Sequence, residues 1–237
     1  METPKDKLEL EALNLELNNP EQLREYRAPF DNYEPGLLPS FLGGLLVGCG
    51  NLVYGFEPSY LKFRAIEVIA RVPYHSWSSV AYTLLTMFYS DEKRAMRLSN
   101  VTKYARIAQD NETMHVVVIS CLSKKERSAG FFRHTLIPMI FAFFYFWASY
   151  FLYLIRPKWS LELNYIFEQH AFEQYGKFIE THEEELKKKM VDSEFLRWYG
   201  RNPRNQYEFF LSVRKLKRKS TNYQALFYRH NCNISSL

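Results

Sequence analysis

Glu112-Thr113-Met114-His115 is the stretch of this sequence that could most plainly do chemistry. Residues three apart share one face of a helix, so the Glu112 carboxylate and the His115 imidazole can converge on one point. In helical bundles that bind two iron or manganese ions, two Glu-x-x-His pairs and two further glutamates project inward together. On its own the tetrapeptide reads more simply as part of a solvated helix face. The metal reading therefore depends on acids arriving at the same depth from other helices.

Two such acids are present. Glu67 sits inside Ala65-Ile66-Glu67-Val68-Ile69-Ala70, where an unpartnered carboxylate among aliphatic side chains would be costly. Glu168 shares a helical face with Ala171, Phe172 and Tyr175, which is mostly apolar. Taken singly, each acid is explained as well by a buried hydrogen bond to a Tyr, Trp or Arg. Three acids on separate long helices, beside a histidine, favour metal. Carboxylates and imidazole suit non-haem iron, and two adjacent ions let bridging glutamates share the charge.

The elements that must position these residues are all helical. Ser59 to Tyr89 reads as one long helix strained or kinked by Pro73. Asp91 to Leu122 carries Glu112 and His115, a turn follows around Lys124 to Gly130, and Ser160 to Met190 carries Glu168. Residues 192 to 204 read as a loop anchored by Phe195, Trp198 and Tyr199, and a last helix starts near Asn205. Leu37 to Tyr54 is an apolar, glycine-rich segment packed at the entry to the main domain. Thr135 to Ile155 is uncharged and, as a helix, about 31 Å long, enough to cross a bilayer. Its aromatic residues are spread along its length rather than gathered at two ends, which equally suits a helix lying in one leaflet. No strand ladder or internal repeat is visible.

The totals agree with a single large domain. Aromatic residues make up 17% of 237 residues, which calls for a large core, a bilayer interface or both. The net charge of +5 suits contact with anionic lipid better than dedicated nucleic-acid binding. Three scattered cysteines give neither a disulfide framework nor zinc spacing. The first 35 residues read as a flexible polar arm, whose Glu2, Asp6, Glu9, Glu11 and Glu16 do not suit a transit peptide.

Three of these segments carry a family resemblance. Ala65 to Tyr74 (AIEVIARVPY), Asn111 to His115 (NETMH) and Glu168 to Tyr175 (EQHAFEQY) resemble the alternative oxidase family, in family order, within a similarity running from about Val47 to Arg214. Ala70 to Tyr74 and His170 to Glu173 most resemble its plastid terminal oxidase branch. The resemblance implies a ferritin-like four-helix bundle with additional membrane-facing helices, bound to one leaflet. It also implies a di-iron quinol oxidase that reduces dioxygen to water without pumping protons. By motif position Glu67, Glu112, His115 and Glu168 match iron ligands, and Tyr175 matches the redox-active tyrosine beside them. Lys62, Ile66, Ala171 and Gln174 fall in the family's quinol pocket, although arginine is usual at the Lys62 position. The expected partners are quinol, dioxygen, membrane lipid and a second copy in a homodimer, with no nucleic acid. The expected location is a plastid thylakoid or mitochondrial inner membrane.

The resemblance ends abruptly. The family draws its last ligands from a second Glu-x-x-His, but here Lys217 stands at the glutamate position and Ser220 at the histidine position. Residues 215 to 237 contain no acid. They read as a divergent, disordered basic tail after a bundle spanning 36 to 214. Two ferrous ions opposed by three carboxylates leave buried positive charge, so the second iron of the expected pair should bind poorly. Two functional readings follow: a quinol oxidase impaired at its last ligand pair, or a non-catalytic relative that keeps the bundle and the membrane surface.

Overall fold

A computed structural model describes residues 33–124 and 130–217 of the chain. All regular structure among them is helical. In order come α1 (Leu37–Tyr54), α2 (Tyr60–Ala70), α3 (Val72–Phe88), α4 (Glu92–Ser123), a π turn (Phe132–Leu136) continuing into α5 (Ile137–Ile155), α6 (Pro157–Lys188) and α7 (Glu194–Trp198). Residues 206–217 form α8.

Local chemistry sets these boundaries. Ser59 caps α2 by accepting from the Lys62 backbone N–H at 3.2 Å, and Asp91 caps α4 from Arg94 at 3.0 Å. The single helix expected over Ser59 to Tyr89 is two helices divided at Arg71. Pro73 lies in the first turn of α3, where its missing N–H costs nothing. The stop between α5 and α6 follows from Arg156, held extended at φ −153 by the proline after it. Within the stretch expected to be a loop, Ser193 caps the short helix α7.

Four helices form the bundle around the candidate site: α2, α4, α6 and α8. Phe63, Tyr175, Phe178 and Phe210 fill its interior, with Phe63 stacked on Tyr175 at 4.2 Å. Helix α8 is fixed by Phe209, Phe210 and Val213, all buried, and by Tyr60, whose hydroxyl donates to Gln206 Oε1 at 2.6 Å. On the other side, α3 and α5 are joined to α6 by Ser76, Ser149, Ser160 and Trp77, a buried hydroxyl chain with contacts of 2.7–2.8 Å.

Two expectations change at the chain ends. The boundary placed after Arg214 is too early, because α8 continues through Lys217 and buries it completely. Lys217 therefore belongs to the core rather than to a disordered tail, and residues 218–237 lie outside the described residues. The arm expected over residues 1–35 is described only from Tyr33. There Tyr33 donates to Glu162 of α6, and Gly36 N–H reaches the same carboxylate at 3.3 Å.

Helices α1 and α5 present apolar faces to the outside. Each is long and apolar enough to cross a membrane by length and composition, α5 together with its π turn, and only 17% and 22% of the two windows are buried. On α5, Tyr145, Ser149 and Leu152 face inward, while Phe143, Phe144, Trp147 and Phe151 face outward. Helix α1 packs on α6 through Gly43, where an added Cβ would lie 2.8 Å from Ile166 Cγ2 and 3.2 Å from its Cβ. Gly44 has nothing within 4 Å of that point. Gly43→Ala is therefore expected to destabilise by about 1–2 kcal/mol, overpacking exceeding the gain in helix propensity. Gly44→Ala should stabilise by up to about 1 kcal/mol. Denaturant titration in detergent checks the opposite signs.

Candidate metal centre

Glu67 from α2, Glu112 and His115 from α4, and Glu168 from α6 meet in the middle of the bundle, as the sequence predicts. All four are at most 3% exposed. His115 Nδ1 lies 3.2 Å from Glu67 Oε2 and 3.3 Å from Glu112 Oε2. His115 Nε2 is buried with no hydrogen-bond partner. Tyr175 donates to Glu67 Oε1 at 2.7 Å, and Tyr74 donates to Glu168 Oε1 at 3.0 Å. Behind Tyr74, the Asn164 side chain links it to Tyr145 through contacts of 3.4 and 3.3 Å. Each carboxylate is thus oriented by a tyrosine or a histidine. Tyr74 lies in a motif already singled out, but its bond to Glu168 spans the fold and leaves no local signal.

A fifth group occupies the same space. Lys217 Nζ lies 2.5 Å from Glu112 Oε2, 3.0 Å from Glu67 Oε2 and 3.4 Å from Glu168 Oε2. One ammonium thus touches a carboxylate from each of three helices. Burial opposes its charge, but the three acids more than offset that and raise its pKa. Burial likewise raises the Glu112 carboxyl, yet Lys217 and His115 outweigh it and hold the group well below the usual carboxylate range. For Glu168 burial wins over Lys217, and with Glu112 and Glu67 adding to it the group is pushed up to about 8. His115 resists protonation through burial, but Glu112 and Glu67 carry it up to about 9.

These directions fix a pH dependence. Folded His115 keeps a proton that the unfolded chain releases near pH 6.5, and Glu168 keeps one released near 4.5. Below pH 8, where Lys62, lowered to about 8 by burial, still keeps most of its charge, the folded state binds more protons than the unfolded one, so stability falls as pH rises. Chelator-treated protein is expected to melt at a lower temperature at pH 8 than at pH 6.5. Thermal scans across that window check it.

Do these residues fit two iron ions? Donor atoms of Glu67, Glu112 and His115 lie within 4.8 Å of one another and could hold a single ion. The two carboxylate oxygens nearest His115, Glu67 Oε2 and Glu112 Oε2, are the ones nearest Lys217. Three carboxylates and one imidazole around a resident ammonium do not fit a pair of metal ions. By sequence Lys217 stands at a ligand position. In the structure it is a cation of the centre, beside His115.

The residues matched to a quinol pocket are only partly gathered. Lys62 and Ile66 line an apolar crevice between α1, α2, α5 and α6, with Asn51, Tyr54, Phe141 and His170. Lys62 is almost wholly buried and donates to the Phe56 carbonyl at 3.0 Å, and burial lowers its pKa to about 8. Ala171 is buried in the core, and neither it nor Gln174 lines this crevice. Gln174 Oε1 is buried without a hydrogen-bond partner. His170, Asn51 and Tyr54 were not among the predicted pocket residues.

Fold and site together define a helical bundle of the carboxylate–histidine class. Comparison with known proteins makes this specific. The alternative oxidase family profile matches residues 56–201. A curated relative, ubiquinol oxidase 4, chloroplastic/chromoplastic, of Arabidopsis thaliana, is 30% identical over 131 residues, 55% of this chain and 34% of the relative. The match thus spans about a third of that relative's length. No solved structure matches. The chain belongs to the alternative oxidase family, a di-iron family, and its similarity lies with the plastid branch.

Proposed function

We propose that this protein is a membrane-bound quinol:dioxygen oxidoreductase by architecture, with turnover impaired in this chain. The reaction it is built for takes electrons from a quinol and reduces dioxygen to water without pumping protons. The carrying observation is the convergence of Glu67, Glu112, His115 and Glu168 in one buried site with Tyr175 bonded to it, within a chain of the alternative oxidase family. Iron bound there would supply the redox chemistry. Among the described residues, Glu67, Glu112 and His115 would hold one ion, and no second group of donors is gathered beside them. Tyr175 is positioned to exchange a proton with Glu67. Quinol would enter at the crevice beside Lys62 and Ile66, next to the apolar faces of α1 and α5. Those faces support attachment to one leaflet, because α5 covers the core with one side and exposes aromatic rings on the other. A plastid membrane is the location the similarity supports.

A second reading is favoured by Lys217: a non-catalytic relative that keeps the bundle and the lipid- and quinol-facing surfaces. One experiment separates the two. Purified protein in detergent is supplied with a short-chain quinol, and oxygen uptake is followed beside binding of a quinone analogue. Slow uptake that disappears in Glu112→Ala supports the impaired oxidase. Analogue binding with uptake at the protein-free baseline supports the non-catalytic reading. Absence of both rejects quinol chemistry altogether.

A further inference from the structure

We propose that the Lys217 side chain is the built-in counter-cation of this centre, standing where a metal ion would stand, so that the bundle folds and stays closed without metal. The inference uses only the fold and the residues of the centre, and it holds whether or not the crevice takes a quinol.

Geometry carries it first. A lysine reaching inward from a surface helix usually keeps its ammonium in water and buries only its stem. Here the ammonium itself is the buried end, within 3.4 Å of oxygens from Glu67, Glu112 and Glu168, and the whole residue is 0% exposed. The backbone leaves little freedom for another placement. Phe210, Val213 and Lys217 follow one another at helical spacing on the inner face of α8, and the two apolar residues are also fully buried.

Charge carries it second. Three carboxylates brought together in a dry interior repel one another and favour neutralisation. A shared ammonium balances all three acids from one point, donating to Glu112 Oε2 at 2.5 Å and facing Glu67 Oε2 and Glu168 Oε2 at 3.0 and 3.4 Å as a bridging cation would. Removing one member of a buried ion cluster is strongly destabilising, because the remainder is left uncompensated.

Competition carries it third. An ion held by Glu67, Glu112 and His115 would need Glu67 Oε2 and Glu112 Oε2, the oxygens that Lys217 holds at 3.0 and 2.5 Å. For an ion to take those oxygens, the ammonium must first leave them. Metal binding is thereby coupled to displacement of the Lys217 side chain.

The test measures metal content and melting temperature rather than activity. Full-length protein is produced in medium rich in iron and manganese, purified in detergent, and assayed for metal by mass spectrometry. Its melting temperature is then recorded with EDTA and with Mn(II). We expect far less than one metal per chain and a melting temperature indifferent to either addition. Lys217→Gln should melt roughly 6–20 °C lower in EDTA at neutral pH, and Mn(II) should recover part of that loss. Tightly bound metal in the wild-type chain, with a melting temperature that drops in EDTA, would overturn the proposal. So would a Lys217→Gln protein that melts like wild type and ignores Mn(II). Should Lys217→Gln fail to fold in EDTA yet fold when Mn(II) is present, that outcome supports the proposal. Should it fail under both conditions, Lys217→Met and the wild-type metal measurement decide by the same criteria. A failure to bind quinone analogues would remove the quinol reading and leave these results untouched.

Discussion

Lys217→Glu combined with Ser220→His is expected to turn this bundle into a metal-dependent protein. The pair recreates a Glu-x-x-His unit in α8 and its continuation in sequence, the element that the family supplies and this chain lacks. Without metal the variant places a fourth carboxylate where the ammonium stood, against Glu112, Glu67 and Glu168. The cost should exceed the about 3–5 kcal/mol that follows from breaking a buried ion cluster, since a repulsive charge replaces an attractive one. Metal offsets most of that cost. An ion that binds only the folded state stabilises it by about 4 kcal/mol when present at a thousand times its dissociation constant. Melting curves in EDTA and in Mn(II) should therefore be far apart for the variant and superimposable for the wild type. If the quinol oxidase reading is right, iron-loaded variant consumes oxygen with quinol at a rate the parent chain does not reach. A variant indifferent to metal would mean that α8 does not deliver residue 217 to the centre.

Much of this fold was legible in the sequence because its cause is local. Apolar periodicity, the caps at Ser59 and Asp91 and the prolines at 73 and 157 set the helices, and each acts within a turn or two. Glu67 and Glu168 announced themselves as acids surrounded by apolar neighbours, which is a local contradiction that only a partner resolves. The break at Arg71 was visible as strain from Pro73, but whether strain bends a helix or ends it depends on what packs beside it. Lys217 stands at a ligand position, but its neighbours in sequence mask it. In Arg214-Lys215-Leu216-Lys217-Arg218-Lys219 it looks like any other solvated base. What distinguishes it is its phase relative to Phe210 and Val213 and the acids of three distant helices, and no short window contains both. The same limit applies to the quinol residues. Lys62 and Ile66 border the crevice, but Ala171, matched by motif position, faces the core. His170, next to it in sequence, reaches the crevice instead.

The charge balance at the centre also makes a double-mutant prediction. Lys217→Met alone leaves three buried acids balanced only by His115, and at neutral pH it should cost about 3–5 kcal/mol. Adding Glu112→Leu removes the acid closest to the missing ammonium, at 2.5 Å, and fills the space with apolar atoms. Replacing a buried ion pair by packed apolar groups is often neutral or better. The double variant should accordingly be more stable than Lys217→Met, with an interaction energy of about 1–3 kcal/mol between the two sites. A pH dependence separates charge from packing. Without Lys217 the acids lose the group that lowered their pKa values, so the folded variant holds protons that its unfolded chain releases. Its stability then rises as pH falls, and the deficit against wild type should narrow from pH 8 to pH 5. A purely steric defect would be the same at both. Denaturant titrations of wild type, both single variants and the double variant at the two pH values, all in EDTA, give the result directly. An unchanged deficit, or a double variant no better than Lys217→Met, would show that the lysine fills space in the bundle without balancing its charge.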